Sequence, residues 1–418
     1  ILHFIHWRPK HWWHVLSNGH LWLKIKNMIS VNEAKTIIQS QTKSLAPIRL
    51  PLLEAFGYTL AEDIFAIIDI PFYPQSSMDG YAFAFKNKDN PLEIIGEMPA
   101  GTSKHITIKA NQATRIFTGG PLPINADTVV MQEKANVTDN ILLIDDDQIQ
   151  LGDNVRNKGA EVQKDSLAMA KNTYLSVAAI GFLAGIGITE IAVFPPPKIT
   201  IILTGNELQD PGNPLEFGQV YEANSYMLTT ALQQAGIKNI AILKSEDNLE
   251  TLKDTLKKAI DSSDIILLTG GVSVGDYDFV ASASELCGVK KHFHKIKQRP
   301  GKPLFFGTKD TKIVFGLPGN PSSALVCFYQ YVLPMLEEIM HKSGSIKTVE
   351  VKLTDKYPKK TGLTHFLKGN FLDGEATPLN AQQSFRLSSF AQANCLIELE
   401  ENKSDYHEGD IVKVYLLN

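Results

Sequence analysis

Lys198-Ile-Thr-Ile-Ile-Leu-Thr-Gly-Asn-Glu207 and, further along, Asp264-Ile-Ile-Leu-Leu-Thr-Gly-Gly271 hold two apolar runs, the first interrupted by Thr200 alone, that both lead into Thr-Gly. A strand with one wet face alternates apolar and polar residues. A strand covered on both faces does not, so each run predicts a doubly buried strand. Between them lie a predicted helix over 224–235, capped by Asn224 or Ser225 and stopped by Gly236, a strand over 239–243 and a helix over 249–260. A third helix is expected near Asp278, a strand over 313–317, and a longer helix after Pro321. Repeated strand–helix units of this length predict a parallel sheet with helices on both faces.

Working outward, Pro195-Pro-Pro197 reads as a stiff connector and the apolar 177–188 segment as a buried helix too short to span a membrane. The β-prone runs at 92–95, 105–108, 128–131 and 141–144, separated by Pro, Gly and Asn, predict a small all-β unit. Ser30-Val-Asn-Glu33 is a capping box that opens an amphipathic helix. Strand periodicity returns at 349–353, 395–399 and 411–415, which suggests a C-terminal barrel or sandwich. Residues 1–27 differ from the rest: all four tryptophans lie there with five histidines, and the reading is a non-native or disordered extension.

At 418 residues, roughly three domains are expected. The net charge of −4 argues against a nucleic-acid or anionic-membrane partner. Cys287, Cys327 and Cys395 are far apart in sequence, so they predict buried thiols of a reducing cytoplasm rather than disulfides or a zinc site.

In open parallel sheets, ligands bind beyond the carboxyl ends of the strands. Here those ends run into Thr204-Gly-Asn-Glu207, Ser245-Glu-Asp247, the 269–278 turn and Gly316-Leu-Pro-Gly-Asn-Pro321. Glycines let backbone N–H groups approach a phosphate, and carboxylates beside a phosphate are the usual way to hold Mg²⁺. Each acidic residue alone also reads as a helix cap, Asp278 included. Four such turns on one edge point to a pocket. Arg299-Pro-Gly-Lys-Pro303, with Lys295 and Lys297 nearby, gathers cations that suit a small tetrahedral oxyanion, although a solvated surface turn has the same composition. Neither a P-loop nor a dinucleotide fingerprint is present.

Taken together, Ser77-Met-Asp-Gly-Tyr-Ala82, Ile116-Phe-Thr-Gly-Gly120, Thr204-Gly-Asn-Glu-Leu208, the Gly-Gly-Val-Ser-Val-Gly turn that begins at Gly270, Pro300-Gly-Lys-Pro303 and Gly316-Leu-Pro-Gly-Asn-Pro321 resemble the MoeA-type molybdopterin molybdenumtransferases, the family that includes the C-terminal part of gephyrin. The resemblance runs from about Met28 to the C-terminus. It implies a multidomain α/β plus β protein: an elongated helical and extended domain split over 28–75 and 155–195, an inserted β domain over 76–154, a MogA-like α/β domain over 196–345 and a C-terminal β-barrel over 346–418. It implies a cytoplasmic homodimer with active sites at the interface, serving apo-molybdoenzymes beside a MogA-like adenylyltransferase. The implied reaction joins molybdate to adenylyl-molybdopterin with Mg²⁺, giving molybdenum cofactor and AMP.

By position, the resemblance makes Asp79, Thr118, Glu207, Asp247, Asp278 and Lys302 catalytic, with Glu207, Asp247 and Asp278 toward the metal. Gly270, Gly271, Ser273, Arg299, Pro318, Pro321, Ser323, Lys368 and Ser384 would bind substrate. Two departures stand out: Glu161 where the family commonly has aspartate, and Lys368 where arginine is frequent. The rival readings are a MogA-like adenylyltransferase and a non-catalytic scaffold of the gephyrin kind.

Overall fold

The computed structural model describes residues 28–272, 279–342 and 344–417, and the 1–27 extension lies outside them. The chain forms two compact units, one of residues 47–193 and one made by the chain before and after it.

The second unit is organised by a six-stranded sheet. Its order is Ile240–Ser245, Ile199–Thr204, Ile265–Thr269, Lys312–Leu317, Pro303–Lys309, Lys290–Lys295. The first four strands are parallel, and Pro303–Lys309 runs antiparallel to both of its neighbours. The expected parallel sheet forms in the first four strands, and two further strands extend it into a mixed one. Lys290–Lys295 reads Lys-Lys-His-Phe-His-Lys, an edge composition without an apolar run, and it escaped the periodicity argument.

The two quoted runs are buried on both faces, and their side chains divide by alternation. Ile199, Ile201, Leu203, Ile265 and Leu267 enter one core, with the helices Val31–Gln41, Asn224–Gln234 and the segment after Pro321. Ile202, Ile266 and Leu268 enter the other, with Leu249–Ser262 and Phe279–Leu286. The Ser30 capping box is formed: Glu33 N–H donates to Ser30 Oγ, and Ser30 N–H to Glu33 Oε2 at 2.7 Å. The long helix after Pro321 is interrupted by a π-helical turn at Phe328–Val332.

In the C-terminal region five strands close on themselves, from Thr364–Leu372 through Glu375–Pro378, Thr348–Leu353, Ile411–Leu416 and Cys395–Leu399 back to Thr364–Leu372. Closure leaves this sheet without a free edge.

The 47–193 unit holds a six-stranded sheet in the order Thr128–Met131, Gly80–Phe83, Gln112–Ile116, Leu92–Met98, Ile141–Ile144, Ala135–Thr138. The run at 105–108 is no strand; only an isolated bridge joins Thr107 to Ile124. The helix Val177–Gly185 is not a buried one: only Ala179 and Leu183 are buried in it, and Val177 is 77% exposed.

Gly80 is fixed by close approach, since a Cβ there would stand 1.9 Å from the Val130 carbonyl oxygen. Gly80→Ala is expected to cost at least about 1–3 kcal/mol, the range for overpacking a filled site, read as a lower denaturant midpoint. An unchanged midpoint would show that the paired strands yield at that point.

Candidate active site

The parallel register brings the strand ends to one level. Leu203 stands beside Thr269, Thr204 beside Ser245, and Thr269 beside Leu317. Thr204 Oγ1 donates to the Thr269 carbonyl at 3.2 Å, joining two of the turns. Gly270, at φ +85°, packs so closely that a Cβ would lie 2.4 Å from the Thr204 carbonyl oxygen. Only glycine fits that position.

Beyond these ends lies a cavity of about 470 Å³. Thr204, Glu207, Gly270, Gly271, Pro318 and Pro321 line it. Asp247 is tied to the same edge, because its N–H donates to Asn206 Oδ1 at 3.2 Å. Its carboxyl is pushed above the usual range, first by partial burial and then by the Glu207 charge. The two carboxylates are thus close enough to repel.

Among the described residues, no three His, Cys, Asp or Glu side chains gather as a metal cluster. A pair of carboxylates beside a phosphate pocket nevertheless fits Mg²⁺, which takes one or two acidic ligands and fills its sphere with water and phosphate oxygens. Ser273 and Asp278, the other residues expected on the third turn, lie outside the described residues.

The cationic turn is split in two. Lys302 is exposed and directly precedes Pro303, which lines the cavity. Arg299, also exposed, pairs in register with His365 of the barrel. The His365 imidazole is held down to about 4 by burial first, then by the Lys359 and Arg299 charges. Lys297 does not add to the cluster as expected, for its ammonium is engaged by Glu401 at 2.9 Å.

Ser384 Oγ accepts from Asn320 Nδ2 at 3.1 Å, and Asn320 lines the cavity. Ser323 is buried in the first turn of the following helix, Pro321–Cys327. Lys368 is 2% exposed, and its ammonium donates to the Gln383 and Arg386 carbonyls at 3.3 and 3.1 Å. Burial and the nearby Arg386 charge lower its pKa. It is therefore placed to hold the 383–386 loop that carries Ser384.

Asp79 and Thr118 belong to the other unit. The antiparallel pairing of Gly80 with Ile116 sets them side by side. Thr118 donates from its N–H at 2.7 Å and from its hydroxyl at 2.9 Å to Asp79 Oδ1. These bonds, backbone first, hold the Asp79 carboxyl below its ordinary range. Glu161 is exposed, and its N–H donates to the Ile70 carbonyl.

Sequence reasoning missed one wall of the cavity: Val220, Tyr221, Glu222 and Asn224. Asn224 and Ser225 are the two expected caps of the helix that begins here. The N-cap position is Ala223, and the capping carboxylate comes from buried Glu222, which accepts from Ser225 N–H at 2.8 Å and from the Ser225 hydroxyl. Asn224 is the first residue of the helix and lines the cleft. An acidic residue three before Ser225 was the available signal.

Among known proteins, three family models match in series: the MoeA N-terminal region (domain I and II) over 29–187, a probable molybdopterin binding domain over 200–338, and the MoeA C-terminal region (domain IV) over 350–417. The molybdopterin molybdenumtransferase of Nostoc sp. is 38% identical over 88% of each chain. That of Bacillus subtilis is 31% identical over 86% of this chain and 87% of its own. A crystal structure of the molybdopterin biosynthesis MoeA protein of Pyrococcus horikosii matches 94% of this chain and 100% of its own, with a TM-score of 0.82 at 30% identity.

The carboxylate pair generates a pH expectation. A raised Asp247 pKa means that the folded state keeps a proton the unfolded chain has released. Stability therefore falls as pH rises through that window, and the penalty persists above it. Asp247→Asn should raise the Tm slightly above pH 6, by about 1–2 °C for a pair of which only Asp247 is partly buried, with no gain near pH 3. A fall in Tm at neutral pH would contradict the repulsion.

Proposed function

The chain belongs to the MoeA family of molybdopterin molybdenumtransferases, and from that membership we propose how its residues serve the reaction. It is a transferase of molybdenum-cofactor assembly, taking molybdate and adenylyl-molybdopterin to molybdenum cofactor and AMP. The observation that carries the residue assignment is the single cavity where Glu207, Gly270, Gly271, Pro318 and Pro321 meet.

In this reading the Gly270–Gly271 turn lets backbone approach the pyrophosphate closely. Glu207 and Asp247 would hold Mg²⁺, with Asp278 as a third ligand; when bound, the ion offsets charge that develops on the departing AMP. Lys302 contributes a compact ammonium to molybdate and Arg299 a planar fork of donors. Ser384 acts through Asn320, from which it accepts, and Ser323 acts from the buried first turn of the helix that opens at Pro321. Lys368 acts on the oxyanion only through the loop it fixes. The chemistry rests on orientation and charge, and no covalent intermediate is invoked.

We further propose a homodimer in which the Asp79–Thr118 turn of one copy completes the cleft of its partner. Leu53, Phe56, Phe65, Ile67, Phe72 and Val177 of the 47–193 unit are large apolar side chains left 52–84% exposed, which supports a covered surface there. The finer division into 28–75 with 155–195, 76–154, 196–345 and 346–418 belongs to the same proposal, although the Val31–Gln41 helix packs into the α/β core. Among the described residues no helix is long and apolar enough to cross a membrane. A cytoplasmic site of action, a MogA-like supplier of the adenylylated substrate and apo-molybdoenzymes as recipients complete the proposal.

Molybdate-dependent AMP release tests it. Lys302→Ala should slow release about a hundredfold or more, the range for losing a charge-stabilising donor, with the Tm unchanged. Release at the unmodified rate would remove Lys302 from the oxyanion site.

A further inference from the structure

The wall that sequence reasoning missed carries an unpaired acceptor. Asn224 is 9% exposed and lines the cavity. Its Nδ2 donates to the Gly319 carbonyl at 2.8 Å, which fixes the amide's orientation. With that donor committed, Oδ1 can only accept, and among the described residues it has no partner. Buried polar atoms are almost always satisfied, so an orphan acceptor at a binding cavity points to a ligand donor.

Tyr221 stands two peptide units before Ala223, on the same wall. It is 48% exposed, so part of its ring is open to a ligand. The ring is held in place: Val220–Tyr221 pairs with Leu208–Gln209, and the Tyr221 hydroxyl donates to the Asn213 carbonyl at 2.9 Å. A flat aromatic face next to a fixed acceptor matches a flat ring that bears an N–H donor. Such rings stack on tyrosine and offer an exocyclic amine to an amide oxygen.

We propose that Tyr221 and Asn224 select an amino-substituted heteroaromatic ring of the substrate, Tyr221 by stacking and Asn224 Oδ1 by accepting from the amine. This rests on the reading given under Proposed function, whose substrate holds two rings of that chemistry, adenine and pterin. Neither residue needs to touch the reacting atoms. Both are positioning and specificity residues.

Calorimetric titration of the full chain in Mg²⁺ buffer tests the inference with two probe pairs: AMP against IMP, and 6-hydroxymethylpterin against 6-hydroxymethyllumazine. Each pair exchanges the amine for a carbonyl. The unmodified protein should bind the amino member of one pair about tenfold tighter, and the pair that shows it identifies the ring. Asn224→Ala should bring that ratio close to one. Because the ratio is internal to each sample, a partly unfolded variant does not disturb it. Tyr221→Leu should weaken both members about tenfold and Tyr221→Phe should restore them. Equal binding of amino and oxo members by the unmodified protein, or a Tyr221→Leu variant that binds like it, overturns the inference and leaves the molybdenumtransferase assignment standing. If neither AMP nor the pterin binds at all, the cavity assignment fails and this inference with it.

Discussion

Everything at the cleft depends on the backbone register of four parallel strands. Hydrogen bonds along Ile199–Thr204 align Thr204 with Ser245, and its neighbour Leu203 with Thr269, which in turn stands beside Leu317. That alignment decides where each turn begins. A slip of one residue would exchange Ile201 and Ile202 between the two cores and carry Glu207 and Gly270 off the common edge. The two cores hold the register because each takes alternate residues of the same strands. Packing on both faces and placement of charge at the mouth are thus one constraint.

The same logic explains why charge can be tolerated there. Glu207 and Asp247 repel, and Asp247 feels both burial and its neighbour. The strain is borne by a sheet whose interior is apolar and fully buried. Glycines at 270 and 271 with positive φ give the turn the room that side chains would fill. Local cost at functional positions supported by a well-determined scaffold is a common arrangement.

Much of this was legible in sequence because apolar runs, capping residues and Gly stops are local signals. The parallel strands, the Leu249–Ser262 helix and the Ser30 box could be placed from them. What failed was set by tertiary contact. Lys290–Lys295 pairs as an edge strand by joining Pro303–Lys309, although its own residues carry no strand pattern. The resemblance puts Lys368 among the substrate-binding residues, and the barrel strand turns its side chain inward onto the Gln383 and Arg386 carbonyls. Asn224 and Ser225 both have the composition of a cap, but the N-cap position falls at Ala223, and Glu222 from outside the helix accepts from Ser225. Asp79 and Thr118 were each singled out, but only strand pairing makes them hydrogen-bond partners.

The most direct test of this account is a crystal structure of the full chain soaked with AMP, Mg²⁺ and molybdate. The account predicts the AMP phosphate against the Gly270–Gly271 turn, a cation about 2.0–2.1 Å from an oxygen of Glu207 or Asp247, and molybdate beside Lys302. Phosphate density on any other surface, with Glu207 and Asp247 bound only to water, would contradict it.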